Sequence, residues 1–109
     1  MPRLYFASPR DLPTNRPQPG VTERVVKGVH ATILVSDLDA LTVIDSHKHD
    51  DERIGMVTRG SVAMVIAGEQ RILTVGDTYV IPAGASHGTR VLEQAAQVID
   101  VSRRGPGIR

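Results

Sequence analysis

Gly76-Asp77-Thr78-Tyr79-Val80-Ile81-Pro82-Ala83-Gly84-Ala85-Ser86-His87 reverses direction twice and shows no helical stripe. Gly76-Asp77 makes a turn, and Thr78–Ile81 is a short strand. Pro82-Ala83-Gly84 is a rigid bend that returns the chain and sets His87 at the start of another strand. The same grammar extends both ways. Segments 25–28, 30–35, 41–44, 54–57, 61–66, 70–74, 78–81, 89–91 and 95–101 are rich in Val, Ile and Thr and are bounded by Gly, Pro or polar turn residues. Ala67-Gly68-Glu69-Gln70 carries a hairpin signal between two of them. Only 91–98 is ambiguous between strand and helix, and its β-branched end favours strand. The expected fold class is all-β, with strands spaced as in a sandwich or barrel.

At 109 residues the chain has the size of one domain. Residues 1–20 hold five of the seven prolines, Pro2, Pro9, Pro13, Pro17 and Pro19. Proline removes backbone donors, so this part reads as an arm without sustained pairing or helix. Residues 21–102 form the expected barrel, and 103–109 read as a frayed, weakly basic tail. Within the arm, Leu4-Tyr5-Phe6-Ala7 is an apolar patch suited to join a neighbouring sheet or a second subunit as an edge strand.

Composition narrows the partners. Thirteen Lys and Arg against twelve Asp and Glu give a net charge of +1, which supplies no broad field for nucleic acid or an anionic membrane. Aromatics are 3% of the chain, too few for a base-stacking platform. No apolar run is long enough to span a bilayer and the start lacks a secretory signal, so a cytoplasmic protein with a small-molecule partner is expected. With no cysteine, any metal must be held by histidines and carboxylates.

Two of the four histidines stand at His47-Lys48-His49. Alternate side chains of a strand share a face, so this pair can aim two imidazoles at one point while Lys48 points away. Taken alone the pair also fits a polar turn end with solvated imidazoles. The segment quoted first changes the balance. Gly76, Pro82, Gly84 and His87 meet every spacing of the second motif of the cupin family: G, five residues, P-x-G, two residues, H. His47, His49 and Gly60 match its first motif. The chain therefore resembles the cupins over residues 40–91. The resemblance implies a single-domain jelly-roll β-barrel with His47, His49 and His87 holding one divalent ion. Neutral imidazole suits Zn, Mn, Fe, Ni or Cu, and three nitrogens leave positions open to substrate.

The usual fourth ligand of that family falls at Arg53, which has no lone pair to give. The run from His47 to Gly60 is similar to the H-x-H-x-x-E-Q-I-G-Y-V-L-x-G form of small sugar-acid cupins of the pectin-degradation type, with Arg53 in place of Gln and Glu52 in its usual position. Three readings stay open. Arg53 reaches past the ion to clamp a substrate carboxylate. Alternatively, a bulge turns Glu52 inward as fourth ligand and expels Arg53. In the third, the metal has been lost, and Arg53 either binds an anion with the histidines or pairs with Asp50 or Asp51. Val91 stands where the second motif usually has Asn. His30 reads as an ordinary histidine, and Met56 and Met64 as core or pocket wall.

The expected function is a metal-dependent enzyme acting on a small, oxygen-rich acid, by isomerase, lyase or cyclase-type chemistry. Arg53 would fix a carboxylate and Glu52 would move a proton. An Fe-dependent dioxygenase and a non-catalytic cupin that binds a small anion are the alternatives. The resemblance also implies a homodimer, with the arm strand at Leu4–Ala7 contributing.

Overall fold

The computed structural model of the protein describes residues 5–103. After a short 3₁₀ turn at Pro9–Asp11, ten strands follow: β1 Thr14–Asn15, β2 Val21–Lys27, β3 Ala31–Leu38, β4 Val43–His47, β5 Arg53–Arg59, β6 Val62–Ile66, β7 Glu69–Leu73, β8 Thr78–Ile81, β9 His87–Val91 and β10 Ala96–Arg103. All nine expected strands form. β10 continues through Arg103, so the strand takes the first residue assigned to the tail. The proline-rich arm adds only β1, paired to β2 through Thr14 and Asn15. Leu4 lies outside the described residues, while Tyr5 and Phe6 belong to no strand and are exposed.

The strands form two antiparallel sheets, β1-β2-β3-β10-β5-β8 and β4-β9-β6-β7. Among the described residues no strand pairing joins the two sheets, and this two-layer arrangement is consistent with the expected jelly roll. The expected turn between β6 and β7 tightens to two residues. Ala67 (φ 49°) and Gly68 (φ 86°) both take left-handed backbone, which matches the twist of a hairpin.

Strand alternation sorts side chains between the layers. Val57, Val62, Val91, Leu38 and Ala96 are sealed in the aliphatic core, with Tyr79 beside them. Val91 therefore serves packing. Met64 is buried, whereas Met56 faces outward and is 42% exposed. The difference follows from parity: Arg53, Gly55 and Val57 turn toward the opposite sheet, which sends Ile54 and Met56 to the outer face.

Candidate metal centre and its acid wall

His47 ends β4 and His87 begins β9, and the two residues are direct partners in the β4–β9 ladder. A register shift between Ile44 and His47 lets the end of β4 bend at this point. His49 lies just beyond, and its carbonyl accepts a hydrogen bond of 2.7 Å from the Gly84 N–H. The Pro82-Ala83-Gly84 bend thus positions His49 as well as His87. Gly84 has φ 77°, a conformation that a side chain would strain.

The ligand nitrogens of His47, His49 and His87 lie within 4.8 Å of one another. His47 is exposed, His49 half-buried and His87 buried, so the group lines a mouth that opens at His47. Nδ1–H of His47 donates to the Asp45 carbonyl at 2.8 Å, and Nδ1–H of His87 donates to the Ala85 carbonyl at 3.0 Å. A carbonyl only accepts, so both Nε2 atoms present lone pairs. Nε2 of His47 is 3.1 Å from Nε2 of His49. Two imidazoles bound at about 2.1 Å to one ion stand roughly 3.0–3.4 Å apart. Burial first, then Arg53 and the other two imidazoles, hold the His49 pKa down at about 4. A neutral imidazole is the form that ligates. Donor type, tautomer and spacing therefore fit a divalent ion.

The same cavity, of about 130 Å³, is lined from the six-stranded sheet by Arg53, Tyr79, Asp100, Glu23 and Ser36. Arg53 pairs with Ile81 across the β5–β8 ladder, and no register break occurs from Arg53 to Met56. Its side chain is 24% exposed and its Nε makes no hydrogen bond, with Asp51 Oδ2 at 3.8 Å. Glu52 is exposed and does not line the cavity. The structure thus brings His47, His49, His87 and Arg53 together and leaves Glu52 outside. His30 is exposed and also does not line the cavity.

Two residues of this wall carry chemistry that sequence reasoning did not single out. Asp100 on β10 and Tyr79 on β8 both flank Gly55 on β5 in register. The Tyr79 ring crosses the gap above the missing side chain, and its hydroxyl donates to Asp100 Oδ1 at 2.6 Å. Burial pushes the Asp100 carboxyl up, against the opposing pull of the Tyr79 hydrogen bond, Arg53 and His87. Burial and the nearby Asp100 likewise push the Tyr79 hydroxyl up. Asp100 and Glu23 are the carboxyls that line the cavity, and Asp100 is the one bonded to the Tyr79 hydroxyl.

A Cβ on Gly55 would overlap the Tyr79 ring. Gly55→Ala is expected to displace the ring, break its bond to Asp100 and lower stability by about 1–3 kcal/mol, read by urea denaturation.

Residues 35–102 match the model of the family described as the cupin domain. The chain is similar to the pectin degradation protein KdgF of Dickeya dadantii (strain 3937), with 44% identity over 55 residues, half of each chain. It is also similar to the H2HPP isomerase of Bacillus subtilis, with 26% identity over 106 residues, covering 95% of this chain and 44% of the relative. The chain spans about half the length of these curated relatives. Among solved structures, KdgF from Halomonas sp. superposes with a TM-score of 0.85 and 25% identity, covering 96% of this chain and 97% of that one. No helix among the described residues is long and apolar enough to cross a membrane. Since the matched region starts within β3, runs nearly to the end of β10 and carries all three clustered histidines, the chain belongs to the cupin family.

Proposed function

We propose that the chain is a metal-dependent enzyme acting on a small, oxygen-rich carboxylated substrate by isomerase-type proton movement. The observation that carries this reading is one cavity with three convergent imidazoles on one wall and, on the other, a guanidinium whose Nε has no hydrogen-bond partner. A divalent ion held by His47, His49 and His87 supplies a Lewis acid for a substrate carbonyl or hydroxyl. Arg53 binds the substrate carboxylate through charge-assisted hydrogen bonds and fixes its orientation. Asp100, oriented by the Tyr79 hydroxyl, holds and returns the proton at its carboxyl oxygen. That role falls to Asp100 rather than Glu52 because, of these two, Asp100 alone lines the cavity. A relative named for pectin degradation and another named an isomerase support the substrate class and the reaction type. Pectin is a polymer of carboxylated sugars.

The test is Arg53→Gln. A guanidinium about 4 Å from a divalent ion is repelled by about 8 kcal/mol at an effective dielectric near 20, so its removal is expected to keep or tighten metal affinity. Binding of a sugar acid such as galacturonate is expected to weaken by about 1.5–3 kcal/mol as the charged hydrogen bonds are lost. Chelator competition reads the first quantity and calorimetry the second. Loss of metal together with unchanged sugar-acid binding contradicts the assignment. A wild-type protein with no affinity for Zn, Mn, Fe or Ni removes the enzymatic reading.

A further inference from the structure

We infer that Glu23 and Ser36 form a hydroxyl-binding subsite of the cavity, so that the substrate is a polyhydroxy acid held by its carboxylate at one end and by its hydroxyls at the other, a placement that rests on the reading of Arg53 as the carboxylate clamp. The ladders fix where these residues stand. Glu23 of β2 is opposite Ser36 of β3, and Ser36 is opposite Val98 of β10. Two residues further along β10, Asp100 is opposite Gly55, and two further again Ser102 is opposite Arg53. Positions two apart share a face, so Ser36, Asp100 and Arg53 step diagonally across the inner face of the larger sheet, one strand and two residues at a time. Glu23 extends the line by one strand.

The two ends of this diagonal are chemically unlike. Three strand spacings and four residues separate the Glu23 and Arg53 backbones by about 20 Å, yet both side chains line the one cavity. A single small anion cannot touch both ends, whereas a chain of several carbons can. Asp100 lies between them and feels every neighbour. Besides burial, the Glu23 charge pushes its carboxyl up, while the Tyr79 hydrogen bond, Arg53 and His87 pull the other way. A ligand with its carboxylate on Arg53 therefore has its middle carbons beside Asp100 and the histidines, and its far carbons at Glu23 and Ser36.

Ser36 itself points to a ligand. It is 6% exposed and lines the cavity among Leu34, Leu38 and Val98, and its hydroxyl makes no hydrogen bond to the described residues. A buried hydroxyl without a partner weakens a fold, and an alanine would fit the same position without that cost. A hydroxyl both gives and takes a hydrogen bond, which suits a sugar hydroxyl. Beside it, Glu23 Oε1 accepts from Asn15 Nδ2 at 3.4 Å, its register partner on β1, and Oε2 is left without a partner among the described residues. The Glu23 carboxylate accepts from O–H donors and repels a second carboxylate, so a sugar acid enters in one orientation.

Calorimetry with galacturonate and with cyclohexanecarboxylate, an acid of the same ring size without hydroxyls, separates the two ends when both are titrated with zinc present. The wild type is expected to bind galacturonate at least about tenfold more tightly than cyclohexanecarboxylate. Ser36→Ala and the isosteric Glu23→Gln are each expected to cut that preference by about three- to tenfold, and Arg53→Gln to weaken both acids. Ligand-free Ser36→Ala is expected to unfold at the wild-type temperature or above it, because no internal hydrogen bond is lost. Equal binding of the two acids by the wild type, or an unchanged preference in either variant, overturns the subsite and leaves the Arg53 clamp standing. So does a Ser36→Ala protein that unfolds at a lower temperature, since the hydroxyl then serves the fold. Unchanged binding of both acids in Arg53→Gln, with the preference cut in Ser36→Ala and Glu23→Gln, overturns the clamp and supports the subsite. A wild type that binds neither acid overturns both.

Discussion

Replacing His87 by alanine is expected to lower divalent-metal affinity by more than about 100-fold while the protein stays folded. Losing a partner that only orients a ligand costs about 10- to 100-fold, and losing the ligand itself exceeds that. His87 is the buried member of the histidine cluster, at 6% exposure, and is fixed on two sides by its β4 partner and by the Ala85 carbonyl. His47 and His49 are then left as two donors at the mouth, a chelate too small to retain an ion against a competing chelator. The fold is expected to survive, because the imidazole lines the cavity and lies outside the aliphatic cluster around Leu38, Val57, Val62 and Val91. The structural loss is about 1 kcal/mol for one hydrogen bond. Elemental analysis and thermal unfolding of the same sample check both halves, and full metal occupancy in the variant would exclude His87 as a ligand.

The second large effect is expected at Asp100. Asp100→Asn preserves the shape of the side chain and an acceptor for the Tyr79 hydroxyl, yet it cannot take up or release the proton. Turnover is expected to fall by about 10²- to 10⁴-fold with little change in metal affinity. Stability supplies an independent readout in the metal-free protein. The folded-state pKa of Asp100 is raised by burial, so the folded chain holds this proton more tightly than the unfolded chain does. Its contribution to stability is present below the ordinary carboxylate range and declines as pH rises through the folded value. Asp100→Asn is expected to remove that decline, so the variant gains on the wild type at neutral pH in urea titrations. A variant with wild-type turnover would show that the proton moves elsewhere.

The strands were legible because turn residues punctuate them: Gly76, Pro82, Gly84 and Gly68 mark reversals that the backbone makes. The histidine cluster was legible only through motif spacing, since HxH alone fits a solvated turn. Asp100 and Tyr79 escaped notice because Asp100 lies outside both motifs and Tyr79 stands at one of the second motif's variable positions. Parity would have found Asp100. In β10, Ala96 and Val98 face the core, and two residues on the alternation places Asp100 on the same side. The same parity separates Arg53 from Glu52 and sends Met56 outward. What no local pattern carries is which inward residues meet across strands. The Tyr79–Asp100 contact depends on Gly55 lying between them in a ladder whose members are far apart in sequence.

β10, the last of the described strands in chain order, is the one that completes the middle of the larger sheet. β10 lies between β3 and β5, so neither of those strands has its central neighbour until residues 96–103 have left the ribosome. Through most of synthesis the nascent chain presents two long unpaired strand edges, which are templates for pairing with other chains. This sheet cannot close before β10 is available, and its formation is slow because its defining pairs join distant segments. Loss of β10 would remove Asp100 together with the central strand of the sheet. A chain cut before Ala96 is expected to be unfolded, which circular dichroism reads.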